Sequence, residues 1–197
     1  MAGEGCGELW LIRHGETEWS LSGKHTSRTD LPLTARGRER AVELKEYLNG
    51  VQFAAVFCSP MKRARETCTI AGLGDRMVID DGLKEWDYGV YEGWTTPEIQ
   101  AEIPGWSVWK DPIIGGETVE HVGERADAVI ARALAAAGDG KAALFAHAHI
   151  LRILGARWIG LEARDGAYFA LGTGNVSVLG WERETPVISQ WNRAVED

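Results

Sequence analysis

Short apolar runs alternate with amphipathic stretches along the chain. The run ELWLI at 8–12 predicts a buried strand that stops at the charged pair Arg13-His14. After Thr34, which has the hydroxyl an N-cap needs, apolar residues recur at Ala41, Leu44 and Leu48 before Asn49-Gly50, the pattern of a helix with its stop signal. VQFAAVFCSP at 51–60 predicts a second strand closed by Ser59-Pro60, and a helix follows it to Gly72 or Gly74, with Arg63 in its first turn. RMVID at 76–80 is a third strand. Residues 82–116 are rich in Gly, Trp and Pro and predict an irregular, lid-like segment with a short helix around Pro97 to Ile103. Val119, Val122, Ala126, Val129, Ile130 and Leu134 recur at helical spacing up to Gly138. KAALFAH is a further strand, HILRILGARWIG the helix after it, and NVSVLGW with PVISQW a closing strand pair.

Strands alternating with helices predict an α/β fold: a three-layer αβα sandwich around a mostly parallel central sheet. At 197 residues the chain is long enough for one substantial core, so residues 1–197 read as one domain carrying 82–116 as its lid. In such sheets ligands bind outside the carboxyl ends of the strands. Three predicted strands deliver charged or imidazole groups at that edge: Arg13 and His14, then Arg63, then His147.

Composition narrows the chemistry. The 45% hydrophobic and 25% charged residues are those of an ordinary globular protein. A net charge of −8 opposes nucleic acid or an acidic membrane as a partner. Within that acidic chain, residues 13–65 hold 10 Lys and Arg against 6 Asp and Glu, compatible with a small anion pocket. Cys6, Cys58 and Cys68 are odd in number and lack C-x-x-C spacing, which disfavours a disulfide framework or a zinc site. With an N-terminal stretch MAGEGCGELW that has no Lys or Arg and only a short apolar run, this predicts a cytoplasmic protein. A homodimer stays open.

Two Arg, two His and a nearby Glu at one sheet edge supply what phosphoryl transfer needs: donors for three equatorial oxygens, a nucleophile and a proton donor for the leaving oxygen. The segment LIRHGET resembles the R-H-G signature of the histidine phosphatase superfamily, the fold of cofactor-dependent phosphoglycerate mutases and many small acid phosphatases. SPMKRARETC is similar to that family's S-P-L-x-R-A-x-x-T segment, LKEWDYGVYEG to its L-x-E-x-x-x-G-x-x-E-G segment, and FAHAHILR to its late H-x-x-x-x-R segment. The four occur in the family's order and span nearly the whole chain.

The resemblance implies that His14 is the nucleophile that becomes phosphohistidine. It implies that Arg13, Arg63 and His147 hold phosphoryl oxygens, and that Glu85 protonates the leaving alcohol and then activates water. Asp80, Asp81, Asp87 and Glu92 lie near Glu85, but only Glu85 stands at the matching position, and Glu92-Gly93 reads as a turn. Gly15 is expected to let the backbone pass close to the phosphate. Thr26, Ser20, His25, Lys110 and Ala148 are candidate substrate contacts, with Lys110 placed to meet a second anionic group. Ser20 and Ser27 replace the Asn and Gly usual in mutases, Ala148 replaces a Gly, and His149 is a rival imidazole. Trp94, Trp106 and Trp109 either wall the substrate site or pack the lid.

The expected activity is a metal-independent phosphomonoesterase, without a cofactor, acting on small phosphorylated metabolites. The lid segment resembles the branch with sedoheptulose-bisphosphatase-like enzymes and acid phosphatases. The alternatives are a phosphoglycerate mutase, whose capping segments a chain of this length lacks, and a noncatalytic module binding phosphorylated ligands.

Overall fold

The computed structural model describes residues 7–195, which leaves Cys6 outside them. Strand β1 (Glu8–Arg13) leads through a short helix α1 (Glu18–Ser22) to α2 (Ala35–Tyr47), then β2 (Ala55–Cys58), α3 (Lys62–Ile70) and β3 (Met77–Ile79). Next come α4 (Thr96–Glu102), α5 (Val119–Ala137), β4 (Lys141–Ala146), α6 (Ala148–Trp158), β5 (Val176–Glu182) and β6 (Thr185–Arg193). The six strands form one sheet in the order β3-β2-β4-β1-β5-β6. The first four in that order are parallel, while β5 and β6 run antiparallel and close one edge as a hairpin.

Two separate apolar clusters show why this is a three-layer sandwich. Leu9 and Leu11 of β1, with Ala142, Leu144 and Ala146 of β4, face α5, α6 and residues of the 83–113 segment such as Trp86, Tyr88 and Trp106. Ile12, Ala143 and Phe145 point the other way, against Leu44 and Leu48 of the α2 region and Ala64 and Cys68 of α3. The period-2 alternation of strand side chains thus divides one sheet between two helical layers.

The predicted helix ends hold. The Thr34 hydroxyl accepts from Gly37 N, and Gly138 ends α5 with φ 55°. Among the elements not expected are the five-residue α1, held by a reciprocal cap between Thr17 and Ser20, and a 3₁₀ segment at Ala163–Tyr168. The second strand is shorter than its apolar run. Residues 51–54 lie outside it, and Phe53 packs in the lower cluster from an irregular segment. The lid-like stretch carries its helix at Thr96–Glu102, and Trp86, Tyr88, Ile99 and Trp106 are almost fully buried.

Candidate active site

The register of the parallel strands builds the site. Arg13 pairs with Ala146, so the next residues, His14 and His147, leave the sheet side by side, and His14 N donates to Ala146 O at 3.0 Å. Their rings pack edge-on with centroids 5.1 Å apart. On the other flank of β4, Cys58 pairs with Phe145, which sets Ser59 beside His147 and starts α3 with Arg63 in its first turn.

His14 is 5% exposed, and its Nδ1 lies 2.7 Å from the carbonyl oxygen of Gly15. A carbonyl only accepts, so Nδ1 carries the proton and Nε2 keeps the lone pair. Burial, with the nearby Arg63 and Arg13 cations, holds the His14 pKa well below 6.5. The imidazole is therefore neutral and nucleophilic at neutral pH. Gly15 N donates to the Thr67 hydroxyl, which in turn donates to the Arg63 carbonyl. Glycine at 15 has a packing reason of its own. A Cβ there would lie 2.5 Å from Gly37 O, so the position serves close packing of the loop on α2.

Arg63 and His147 are fully buried against His14. Arg63 Nε donates to His147 Nδ1 at 3.1 Å, and its other nitrogens donate to the carbonyls of Thr29, Thr26 and Ser27. With Nδ1 accepting, His147 carries its proton on Nε2, which donates to the Ser59 hydroxyl at 2.7 Å. Burial, then Arg63, keeps His147 neutral.

A cavity of about 420 Å³ opens above these residues, lined among others by Arg13, His14, Glu85, Tyr88, His149 and Arg152. Arg63 and His147 lie beneath this lining and do not border it. Arg13 donates through Nη1 to Leu171 O, and its buried Nε has no hydrogen-bond partner among the described residues. Glu85 is 5% exposed and sits at the start of α6: it accepts from His149 N, Ile150 N and Trp86 N, each at 3.0 Å. A helix whose own N-cap residue, His147, makes no side-chain cap is thus capped by the carboxylate that faces the cavity.

Thr26, Ser20, His25 and Ala148 all border this cavity. Thr26 donates to Lys24 O and Ser20 to Thr17 O, so both hydroxyls already serve the loop. His25 is buried, which pushes its pKa down to about 4. Lys110 is not brought in. The turn at 107–111, closed by Lys110 N donating to Ser107 O, puts Trp109 on the cavity wall and Lys110 on an outer cavity. Trp106 and Trp109 line the site, whereas Trp94 is exposed away from it. Glu92 accepts from Ser27 N and Thr29 N, and Gly93 turns with φ 81°, as the turn reading expects.

Arg152 and Tyr88 were absent from the expected site residues. Arg152 is fixed by donating to Gly166 O and Ala167 O, with its guanidinium 4.6 Å from the Trp109 ring centre. Its signal was the helical spacing of Ala148, His149 and Arg152, which puts all three on one face of α6. Among the described residues no group of three or more His, Cys, Asp and Glu side chains is arranged to hold a metal ion, and no helix is long and apolar enough to cross a membrane.

Residues 9–194 match the family model described as the histidine phosphatase superfamily (branch 1). An acid phosphatase of Mycobacterium tuberculosis is 39% identical over 176 residues, covering 88% of this chain and 86% of the relative. A sedoheptulose 1,7-bisphosphatase of Saccharomyces cerevisiae is 38% identical over 182 residues, covering 77% of this chain and 67% of that one. The solved structure of an open reading frame product of Mycobacterium tuberculosis superposes with a TM-score of 0.91 at 35% identity, over 96% of this chain and 99% of that chain.

Proposed function

The chain belongs to the histidine phosphatase superfamily, and from that membership we propose that it is a metal-independent phosphomonoesterase acting on small phosphorylated metabolites through a phosphohistidine on His14. The observation that carries this reading is the His14–Gly15 contact: with Nδ1 protonated, Nε2 is the nitrogen free to attack at the cavity floor. Nε2 attacks phosphorus in line, the bond from phosphorus to the leaving oxygen breaks, and Glu85 delivers a proton to that oxygen. In the second step Glu85 takes a proton from water, which attacks the phosphohistidine and frees inorganic phosphate. Arg13 offers its guanidinium to the phosphoryl oxygens from the cavity wall. Arg63 and His147 lend a second cation and an N–H donor from below, and they reach a phosphoryl oxygen by exchanging a protein partner.

Relatives named as phosphatases favour hydrolysis over phosphoryl return to a bound intermediate. We read residues 82–116 as the lid of this site and the cytoplasm as its compartment. His14→Ala should lower phosphate release from p-nitrophenyl phosphate at least about 1,000-fold, while the wild type stays active in EDTA. With 3-phosphoglycerate, free phosphate is expected. Conversion to 2-phosphoglycerate without phosphate release would favour a mutase instead.

A further inference from the structure

Beyond the groups that handle phosphate, the cavity wall holds a hydrogen bond between two side chains that the chemistry above leaves unused. Tyr88 Oη and His149 Nδ1 are 2.6 Å apart, and both residues line the cavity. Tyr88 is 2% exposed, and its hydroxyl has no other hydrogen-bond partner among the described residues. If Nδ1 carried the imidazole proton, the buried phenol O–H would have no acceptor among the described residues, and an unpaired buried donor is unfavourable. The arrangement that satisfies both groups has Tyr88 donating to Nδ1, which puts the ring proton on Nε2.

The charge states agree with this. Burial raises the Tyr88 pKa well above 10, so the phenol keeps its proton, and burial with Arg152 holds His149 well below 6.5. The nearest carboxylate, Glu85, does not compete: its Oε2 stands 4.0 Å from Nδ1, beyond hydrogen-bond reach, and is engaged by the His149 backbone N–H. Packing fixes the ring. Trp109 lies at 5.0 Å, Trp86 at 6.1 Å and His25 at 6.2 Å between centroids. Nε2 has no hydrogen-bond partner among the described residues, and it is not one of the buried unpartnered atoms.

We propose that Tyr88 and His149 form a pair in which Tyr88 fixes the tautomer and His149 presents Nε2–H to the cavity, where it binds a hydroxyl or carbonyl oxygen of the leaving group. The proposal rests on the phosphatase reading and adds a specificity-determining residue to it. His149 favours esters whose leaving group carries such an oxygen over esters of a plain hydrocarbon or arene. Tyr88 acts through His149 and is a positioning residue.

The test compares kcat/KM for a hexose 6-phosphate with kcat/KM for phenyl phosphate, which has no oxygen on its ring beyond the ester. In His149→Ala the ratio of the two should fall about 10-fold, the size of one lost neutral hydrogen bond, and the loss should sit in KM. His149→Gln, which keeps an N–H at similar reach, should recover most of the ratio. Tyr88→Phe should lower the ratio in the same direction without removing the imidazole. Equal losses on both esters, or a ratio unchanged in His149→Ala and Tyr88→Phe, would overturn the proposal. If His149→Ala fails to fold, the ratios of His149→Gln and Tyr88→Phe decide on the same terms. A wild type that releases phosphate from neither ester overturns the phosphatase reading and the proposal together, whereas an active wild type with unchanged variant ratios overturns the proposal alone.

Discussion

Arg63 donates its Nε–H to Nδ1 of His147, and this single bond fixes which nitrogen of His147 bears a proton. The same guanidinium holds the carbonyls of Thr26, Ser27 and Thr29, so one buried side chain ties α3, the β4 end and the loop before α2 together. Arg63→Met keeps most of the volume and removes every donor. It should lower the unfolding free energy by about 3 kcal/mol, since buried acceptors lose their partners. Urea titration against the wild type measures it, and a change under about 0.5 kcal/mol would mean the carbonyls find water instead.

Four histidines share one electrostatic condition. His14, His147 and His149 are held well below 6.5 and His25 at about 4, in each case first by burial. Above pH 6.5 neither the folded nor the unfolded chain protonates them, and they leave stability unchanged. As pH falls below 6.5 the unfolded chain binds protons that the folded one refuses, so stability drops until each folded pKa is reached. Each such histidine contributes up to about 1.4 kcal/mol per pH unit in that window. Urea midpoints should therefore fall already between pH 6.5 and 5, above the carboxylate range. His25→Gln should make the slope shallower from pH 6.5 down to about 4.

Gly15→Ala tests the contact between the loop that carries His14 and α2. Its Cβ would stand 2.5 Å from Gly37 O, a backbone atom that moves only with the helix. Relief shifts the loop, and with it the Gly15 carbonyl that holds His14 Nδ1 and the Gly15 N–H that meets Thr67. Stability should fall by about 2 kcal/mol and kcat by at least about 10-fold, because the proposed nucleophile His14 would lose its alignment. A variant of wild-type kcat would show that the loop tolerates the shift.

Much of this arrangement was legible in the chain, and the gaps have physical causes. The strand run ending at Arg13-His14, the Ser59-Pro60 break before Arg63 and the ALFA run before His147 all announce strand ends. Parallel pairing alone then brings them together. Periodicity says nothing about a five-residue helix such as α1, whose stability comes from the Thr17–Ser20 cap rather than from an apolar face. It also gives no warning that Gly15 faces a second glycine, because Gly37 lies more than twenty residues away in an element with its own pattern. In the irregular stretch, whether Trp109 or Lys110 meets the cavity depends on one turn closed by Ser107 and Asp111, a local geometry that composition does not encode.

That turn supplies the last prediction. Lys110 was expected to meet an anionic group of the substrate, but the cavity's cations are Arg13, Lys24 and Arg152. Lys110 is exposed and borders an outer cavity with Asp111 and Glu117. Lys110→Ala should leave kcat/KM for any phosphate ester within about 2-fold and stability within about 0.5 kcal/mol, as for a surface change. Arg152→Met removes a guanidinium locked on Gly166 O, Ala167 O and the Trp109 face, in a site where fixed charge is weakly screened. It should raise KM for esters with a second anionic group at least about 10-fold, by loss of a charge-assisted contact. If Lys110→Ala shows the larger loss, the 107–111 turn must rearrange when substrate binds, carrying Lys110 into the cavity in place of Trp109.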